Sequence, residues 1–173
     1  MAKITIFGLA GTGTSSVGRL LAKKIGADFI SAGDIYRQTA KDLGLSLVEY
    51  EKICAVDGDH DRALEQKMKE YGESHEHFVA ESRLAWFSMP DAFKIKFITD
   101  FDERLARVVK RDGVSLEAAL AETSLREKAA LDKYRTYYGL EDYSADEHFG
   151  LIIDTTHLTQ DEVVQKICEY VGV

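Results

Sequence analysis

The residues Phe7-Gly8-Leu9-Ala10-Gly11-Thr12-Gly13-Thr14-Ser15-Ser16 have the make-up of an anion cradle. Gly8, Gly11 and Gly13 can take backbone angles closed to residues with a Cβ, so the chain can curl there and turn successive N–H groups inward. A helix starting near Gly13 adds its own unpaired N–H groups and the positive end of its dipole. The run from Gly8 to Ser15 fits the spacing GxxxxGK[ST] at both glycines and at the final hydroxyl, which in that pattern meets Mg²⁺. Thr14 takes the lysine position. A plain glycine-rich turn is the alternative reading; otherwise the chemistry is the holding of a polyphosphate.

Three further groups could act on what such a loop holds. The first is Ser31-Ala32-Gly33-Asp34-Ile35-Tyr36-Arg37, a turn of small residues running into a helix, where Ser31, Tyr36 and Arg37 are placed to meet a substrate or, in the plainer reading, form a helix cap with a surface arginine. The second is Glu81, at the end of an apolar run and followed by Ser82 and Arg83; an acid at that point can face a metal-bound water or a substrate. The third is basic: Arg104, Arg107 and Arg111 share one helical face, and Arg126, Lys128, Lys133 and Arg135 follow.

Other clusters read as structure. Asp57, Asp59 and Asp61 lack the later glycine and glutamate of a calcium loop. His75 and His77 suit the approach to a strand better than a metal, and Cys54 and Cys168 have neither metal nor disulfide spacing.

The elements that must position these groups follow from apolar periodicity. Strands are expected at Lys3–Phe7, Asp28–Ser31, His77–Glu81, Phe93–Ile98 and Gly150–Asp154. The first is apolar throughout and therefore central, while Lys94 and Lys96 leave the fourth less completely buried. Helices are expected at Gly13–Ile25, after Ser31, as a pair between Gly44 and Glu73 broken near Asp57-Gly58-Asp59, and at Phe101–Arg111, Ser115–Tyr138 and Thr159–Tyr170. Ser46 with Glu49 and Thr159 with Glu162 form capping boxes. The stretch from Phe101 to Tyr138 is polar nearly all round, which suits a mobile lid better than a core layer.

A chain of 173 residues with 45% hydrophobic residues and a single proline suits one domain with a sizeable core. A net charge of −8 disfavours nonspecific nucleic-acid binding. No apolar run approaches membrane-spanning length. The expectation is a cytoplasmic protein with small-molecule partners, no nucleic-acid or membrane partner, and a monomer as the default.

Taken in order, these motifs make the chain resemble the nucleoside monophosphate kinases, and most closely the short archaeal-type cytidylate kinases. The resemblance runs from the glycine loop through Ser31 to Arg37, Glu81-Ser82-Arg83-Leu84, the spaced arginines, Arg126-Glu127, Tyr134 and Tyr138-Gly139 to Ile152-Ile153-Asp154-Thr155. It implies an α/β, P-loop NTPase-type three-layer fold with a five-stranded parallel sheet, acceptor-binding helices at about 33–73 and a helical lid at about 108–140.

It also implies ATP-dependent phosphoryl transfer to CMP or dCMP with Mg²⁺. Gly8, Ala10, Gly11, Thr12, Gly13, Thr14, Ser15, Ser16 and Arg104 would bind ATP. Ser31, Gly33, Tyr36, Arg37 and Arg83 would bind the acceptor, and Ser15 and Glu81 would hold the metal. Arg83, Arg107 and Arg126 would be catalytic, with Arg107 or Arg126 replacing the absent lysine charge. The chain departs from the family at Ser82, where glycine is usual, and at Ala130, Leu131 and Lys133, where relatives carry more charge. Two alternatives stay open: a kinase for another nucleoside monophosphate or small metabolite, and a nucleotide-binding regulator without transfer activity.

Overall fold

The computed structural model describes residues 1–173, except the side chains of Leu47, Val48, Glu51 and Ala55. Strand β1 (Lys3–Gly8) lies at its centre, with Ile4, Ile6 and Phe7 almost wholly buried. A strand that is apolar at successive positions needs cover on both faces, which a parallel sheet between two helical layers supplies.

The remaining strands are β2 (Asp28–Ser31), β3 (Phe78–Glu81), β4 (Phe93–Ile98) and β5 (Leu151–Asp154). They pair in the order β2-β3-β1-β4-β5, every neighbouring pair parallel. Parallel pairing demands crossovers. Helix α1 (Thr14–Ile25) joins β1 to β2; α2 (Ala32–Asp42), α3 (Leu47–Val56) and α4 (Asp59–Ser74) join β2 to β3; α5 (Ala85–Ser88) joins β3 to β4. Helices α6 (Phe101–Asp112) and α7 (Leu116–Tyr138) join β4 to β5, and α8 (Gln160–Val171) ends the chain. The break between α3 and α4 and both capping boxes fall where the sequence places them.

Strand alternation divides the core. Ile4, Ile6, Val79, Ile95, Phe97 and Ile153 meet Val17 and Leu21 of α1 and Val163, Val164 and Ile167 of α8. On the opposite face Phe78 and Ala80 meet Met68 of α4 and Ala85 and Met89 around α5. Phe7 meets Leu84, Trp86, Tyr134 of α7 and Tyr143.

Two features differ from the sequence expectation. Helix α5 is too short to show a period, and it carries Trp86 into the core. Helix α7 is not polar all round: Ala119, Thr123, Ala130 and Tyr134 are buried, a stripe of small or hydroxyl-bearing residues that a hydrophobicity pattern underweights. Ala130 and Tyr134 anchor its second half in the core.

Register completes the frame for the site. Ser31 and Ile6 both stand beside Glu81, Gly8 beside Phe97, and Asp154 beside Ile98. The loops that follow β1, β2 and β3 therefore leave one end of the sheet together, the end where open α/β sheets bind ligands. Among the described residues no helix is long and apolar enough to cross a membrane.

Candidate active site

In the glycine loop the carbonyls from Leu9 to Gly13 each accept a hydrogen bond, three of them from distant parts of the chain. The Leu9 carbonyl accepts from the Thr12 hydroxyl at 2.8 Å, and the Ala10 carbonyl from Arg104 Nε at 2.9 Å. Arg107 Nη1 reaches the Gly11 carbonyl at 3.5 Å, the Thr155 hydroxyl donates to the Thr12 carbonyl at 3.0 Å, and Val17 N donates to the Gly13 carbonyl at 3.1 Å. With these carbonyls occupied and the Thr12 N–H closed on Leu9 at 3.2 Å, the other N–H groups of the loop are left for an anion. Gly11 and Gly13, at φ of 85° and 89°, take the left-handed angles this path requires. A Cβ on Gly11 would also run into the Arg104 carbonyl.

The start of α1 is kept positive. No side chain among the described residues caps it, and its first turn holds no acid. Each other helix of eight or more residues has an acid in its first turn. Its unpaired N–H groups and dipole are thus left for an anion.

Glu81 is the junction of the site. Thr14 Oγ1 donates to Oε1 at 3.1 Å, while Ser15 and Ser31 donate to Oε2 at 3.2 and 2.7 Å. Two of these hydroxyls follow the glycine loop and the third stands at the end of β2, brought level by the strand register. Thr14, in the lysine position, spends its hydroxyl on this carboxylate. Ser16 is exposed in the first turn of α1.

Around Ser31 the chain turns into α2, with the Ser31 hydroxyl accepting from Asp34 N. Asp34 binds Arg37 at 2.6 Å and Arg19 of α1. Burial pushes the Asp34 carboxyl up, but hydrogen bonds from both arginines outweigh it and hold it below the usual carboxylate range. Gly33 leaves room beside the Arg37 guanidinium and the Ser31 hydroxyl that a Cβ would enter. Tyr36 turns toward α3, its ring 4.6 Å from that of Tyr50. Arg83 is partly buried and acts on the phenols of Tyr134 and Tyr143, whose pKa values burial raises and the Arg83 charge lowers. The Ser82 hydroxyl accepts from Leu84 N at 3.2 Å and is buried, so it caps the turn into α5.

The basic face of α6 divides. Arg104 is only 7% exposed, and beyond its bond to the loop it pairs with Glu127 of α7. Arg107 binds Glu103 at 2.8 Å and also reaches the Thr155 and Thr156 carbonyls, at 3.1 and 3.3 Å. Arg111 pairs with its neighbour Asp112 at 2.7 Å. Arg126 pairs with Glu122 on its own helix at 2.7 Å. Arg104 and Arg107 thus reach the loop, and Arg111 and Arg126 pair locally.

The family profile described as cytidylate kinase-like matches residues 3–157, which takes in the loop, Glu81 and every arginine above. The chain belongs to the cytidylate kinase-like family. As a member it is a phosphotransferase of the nucleoside monophosphate kinase kind. The cytidylate kinase of Archaeoglobus fulgidus is 34% identical over 172 residues, covering 99% of this chain and 95% of that one. That of Thermococcus kodakarensis is 37% identical over 161 residues, covering 92% and 82%. Among solved structures, shikimate kinase from Bacteroides thetaiotaomicron superposes with a TM-score of 0.68 at 14% identity, covering 99% of both chains. An uncharacterized protein from Eubacterium ventriosum reaches 0.73 at 18%, also with 99% of both chains covered. These structures share the fold of this cytidylate kinase-like chain.

Proposed function

We propose that the protein transfers the γ-phosphoryl group of ATP to CMP or dCMP. The observation that carries this reading is the meeting at Glu81, where hydroxyls of the phosphate loop and of the β2 end share one carboxylate. Phosphates bound on the two sides of that carboxylate would be neighbours. The relatives named cytidylate kinase supply the choice of acceptor.

An acceptor phosphate is ionised near neutral pH, so the reaction needs no strong general base. One of its oxygens bonds to the γ-phosphorus while the bond from that phosphorus to the β–γ bridging oxygen breaks, and ADP leaves with the electron pair. The protein's work is then positioning and charge neutralisation. The N–H groups of Gly11 and of Gly13 to Ser16 hold the donor phosphates, with Arg104 fixing the loop from behind. Arg37 and Arg83 hold the acceptor phosphate beside Ser31 and Gly33; a guanidinium suits this because it can bind two oxygens at once. Arg107, already against Gly11, is better placed than Arg126 to replace the absent lysine charge.

Ser15 and Glu81 offer hard oxygen donors close together, the small protein share that Mg²⁺ takes beside phosphates. Mg²⁺ held there would offset the charge of the donor phosphates.

The test is ADP release from Mg-ATP with CMP, dCMP, UMP, AMP, GMP or no acceptor. Release that depends on CMP or dCMP is expected. Release that ignores the acceptor, or none from folded protein that binds ATP, would overturn the reading.

A further inference from the structure

Glu65, in the stretch of about 33–73 expected to bind the acceptor, is not among the site residues named so far. Helix α4 turns Leu64, Met68 and Tyr71 toward the sheet and sends Asp61 and Glu65, one turn apart, toward α5 and α7. Ser88, the last residue of α5, donates its hydroxyl to Glu65 Oε2 at 3.0 Å. Lys133 of α7 binds Asp61 at 2.9 Å. Glu65 Oε1 accepts no hydrogen bond among the described residues, yet it is not sealed in the interior. One oxygen of this partly buried carboxyl is pinned, and the other is left to accept on the side of α4 that faces α5 and α7.

That side adjoins an arginine assigned to the acceptor phosphate. Ser88, which binds Glu65, also donates its N–H to the carbonyl of Leu84 at 2.9 Å, so Glu65 is joined through one short turn of chain to the residue that follows Arg83. We propose that Glu65, steadied by Ser88, reads the hydrogen-bonding edge of the acceptor base and selects one bearing an exocyclic amino group. The inference rests on the acceptor reading given above and names what sets its specificity.

The selection follows from lone pairs. Once ionised, as it is above about pH 7, the open carboxylate oxygen only accepts, and it accepts from an amino N–H, as cytosine presents. A keto oxygen at the same ring position, as in uracil, brings lone pair against lone pair. A site built to bond an N–H rejects the analogue that lacks it far more strongly than an apolar pocket rejects a change of shape. The groups that face this carboxyl are Asp61 of α4, Ser88 of α5 and Lys133, Tyr134 and Tyr138 of α7; burial pushes it up to about 7, against the Ser88 hydrogen bond and then the Lys133 charge, which pull it back.

Glu65→Gln tests the idea, because an amide can turn to present either an acceptor or a donor. The measurement is kcat/KM for CMP and for UMP, with KM for ATP followed alongside. The wild type should favour CMP, and Glu65→Gln should cut the CMP-to-UMP ratio by about tenfold or more, with KM for ATP held within about twofold. Ser88→Ala keeps the carboxyl but frees its pinned oxygen, and should move the ratio the same way by about threefold. A ratio unchanged in both variants, or in Ser88→Ala alone should Glu65→Gln not fold, overturns the role of Glu65 and leaves the kinase reading standing. A wild type that prefers UMP over CMP overturns it as well. A wild type that phosphorylates no nucleoside monophosphate overturns the kinase reading, and this inference with it.

Discussion

The glycine loop and the proposed acceptor wall meet at Glu81 but are held in different ways. The loop is fixed by directed bonds to backbone carbonyls, several from buried groups: Thr12, Thr155 and Arg104 are 2, 3 and 7% exposed. The acceptor wall leans on ion pairs that water reaches, such as Arg19–Asp34–Arg37. Buried bonds of fixed direction define a geometry, whereas exposed ion pairs contribute little and yield to salt. The contrast suits the proposed chemistry. Donor phosphates gain from dipoles set in advance, while the acceptor side must admit and release a whole nucleotide.

The largest effect is expected at the junction. Glu81→Gln keeps the shape but removes the charge that gathers three hydroxyls, and turnover with ATP and CMP should fall about 10²- to 10³-fold. Single-turnover measurement with both substrates saturating checks this; a loss below about tenfold would mean that the two regions do not depend on Glu81 to meet.

Arg104→Met comes next and probes the loop alone. It leaves Glu127 without its buried partner and the Ala10 carbonyl without its donor. Urea unfolding should show a loss of about 3 kcal/mol, with weaker ATP binding in the protein that remains folded. If ATP affinity is unchanged, the carbonyl ties do not shape the loop.

The smallest concerns the acceptor wall and is read against pH. Glu65 titrates at about 7 in the folded chain against an ordinary value of 4.5. Between those values the folded state holds the extra proton, so this group's contribution to stability falls as pH rises through the window. Glu65→Gln removes that dependence. Unfolding at pH 5 and at pH 8 should show the variant gaining on the wild type by about 2 kcal/mol at the higher pH. An equal gap at both would show that Glu65 is solvated like a surface acid.

The sequence reveals what is contiguous. The glycine loop, the Ser31 turn and Glu81 at its strand end lie within a few residues of the elements that place them, so pattern alone finds them. It cannot reveal what ties them. Arg104, Arg107 and Thr155 reach the loop from 94, 96 and 143 residues away, and in one dimension Arg107 and Arg126 are equal candidates for the missing lysine charge. Tyr36 is equally ambiguous until its ring is seen against Tyr50. Glu65 is hidden for another reason: in a helix as charged as α4 it reads as one more surface acid, and only the arrival of Ser88 and Tyr134 from other elements gives it an environment of its own.

The tied carbonyls of the glycine loop bear on transplantation. Gly8 to Ser15 looks like a portable cassette, short and rich in residues that fit anywhere. Lifted into another scaffold without counterparts of Arg104, Arg107 and Thr155, it would carry its glycines but not its shape: the freed carbonyls would turn to water or to one another. The unit that could be moved is the loop together with the faces of α6 and the β5 turn that grip it, a module assembled in space from three distant parts of the chain.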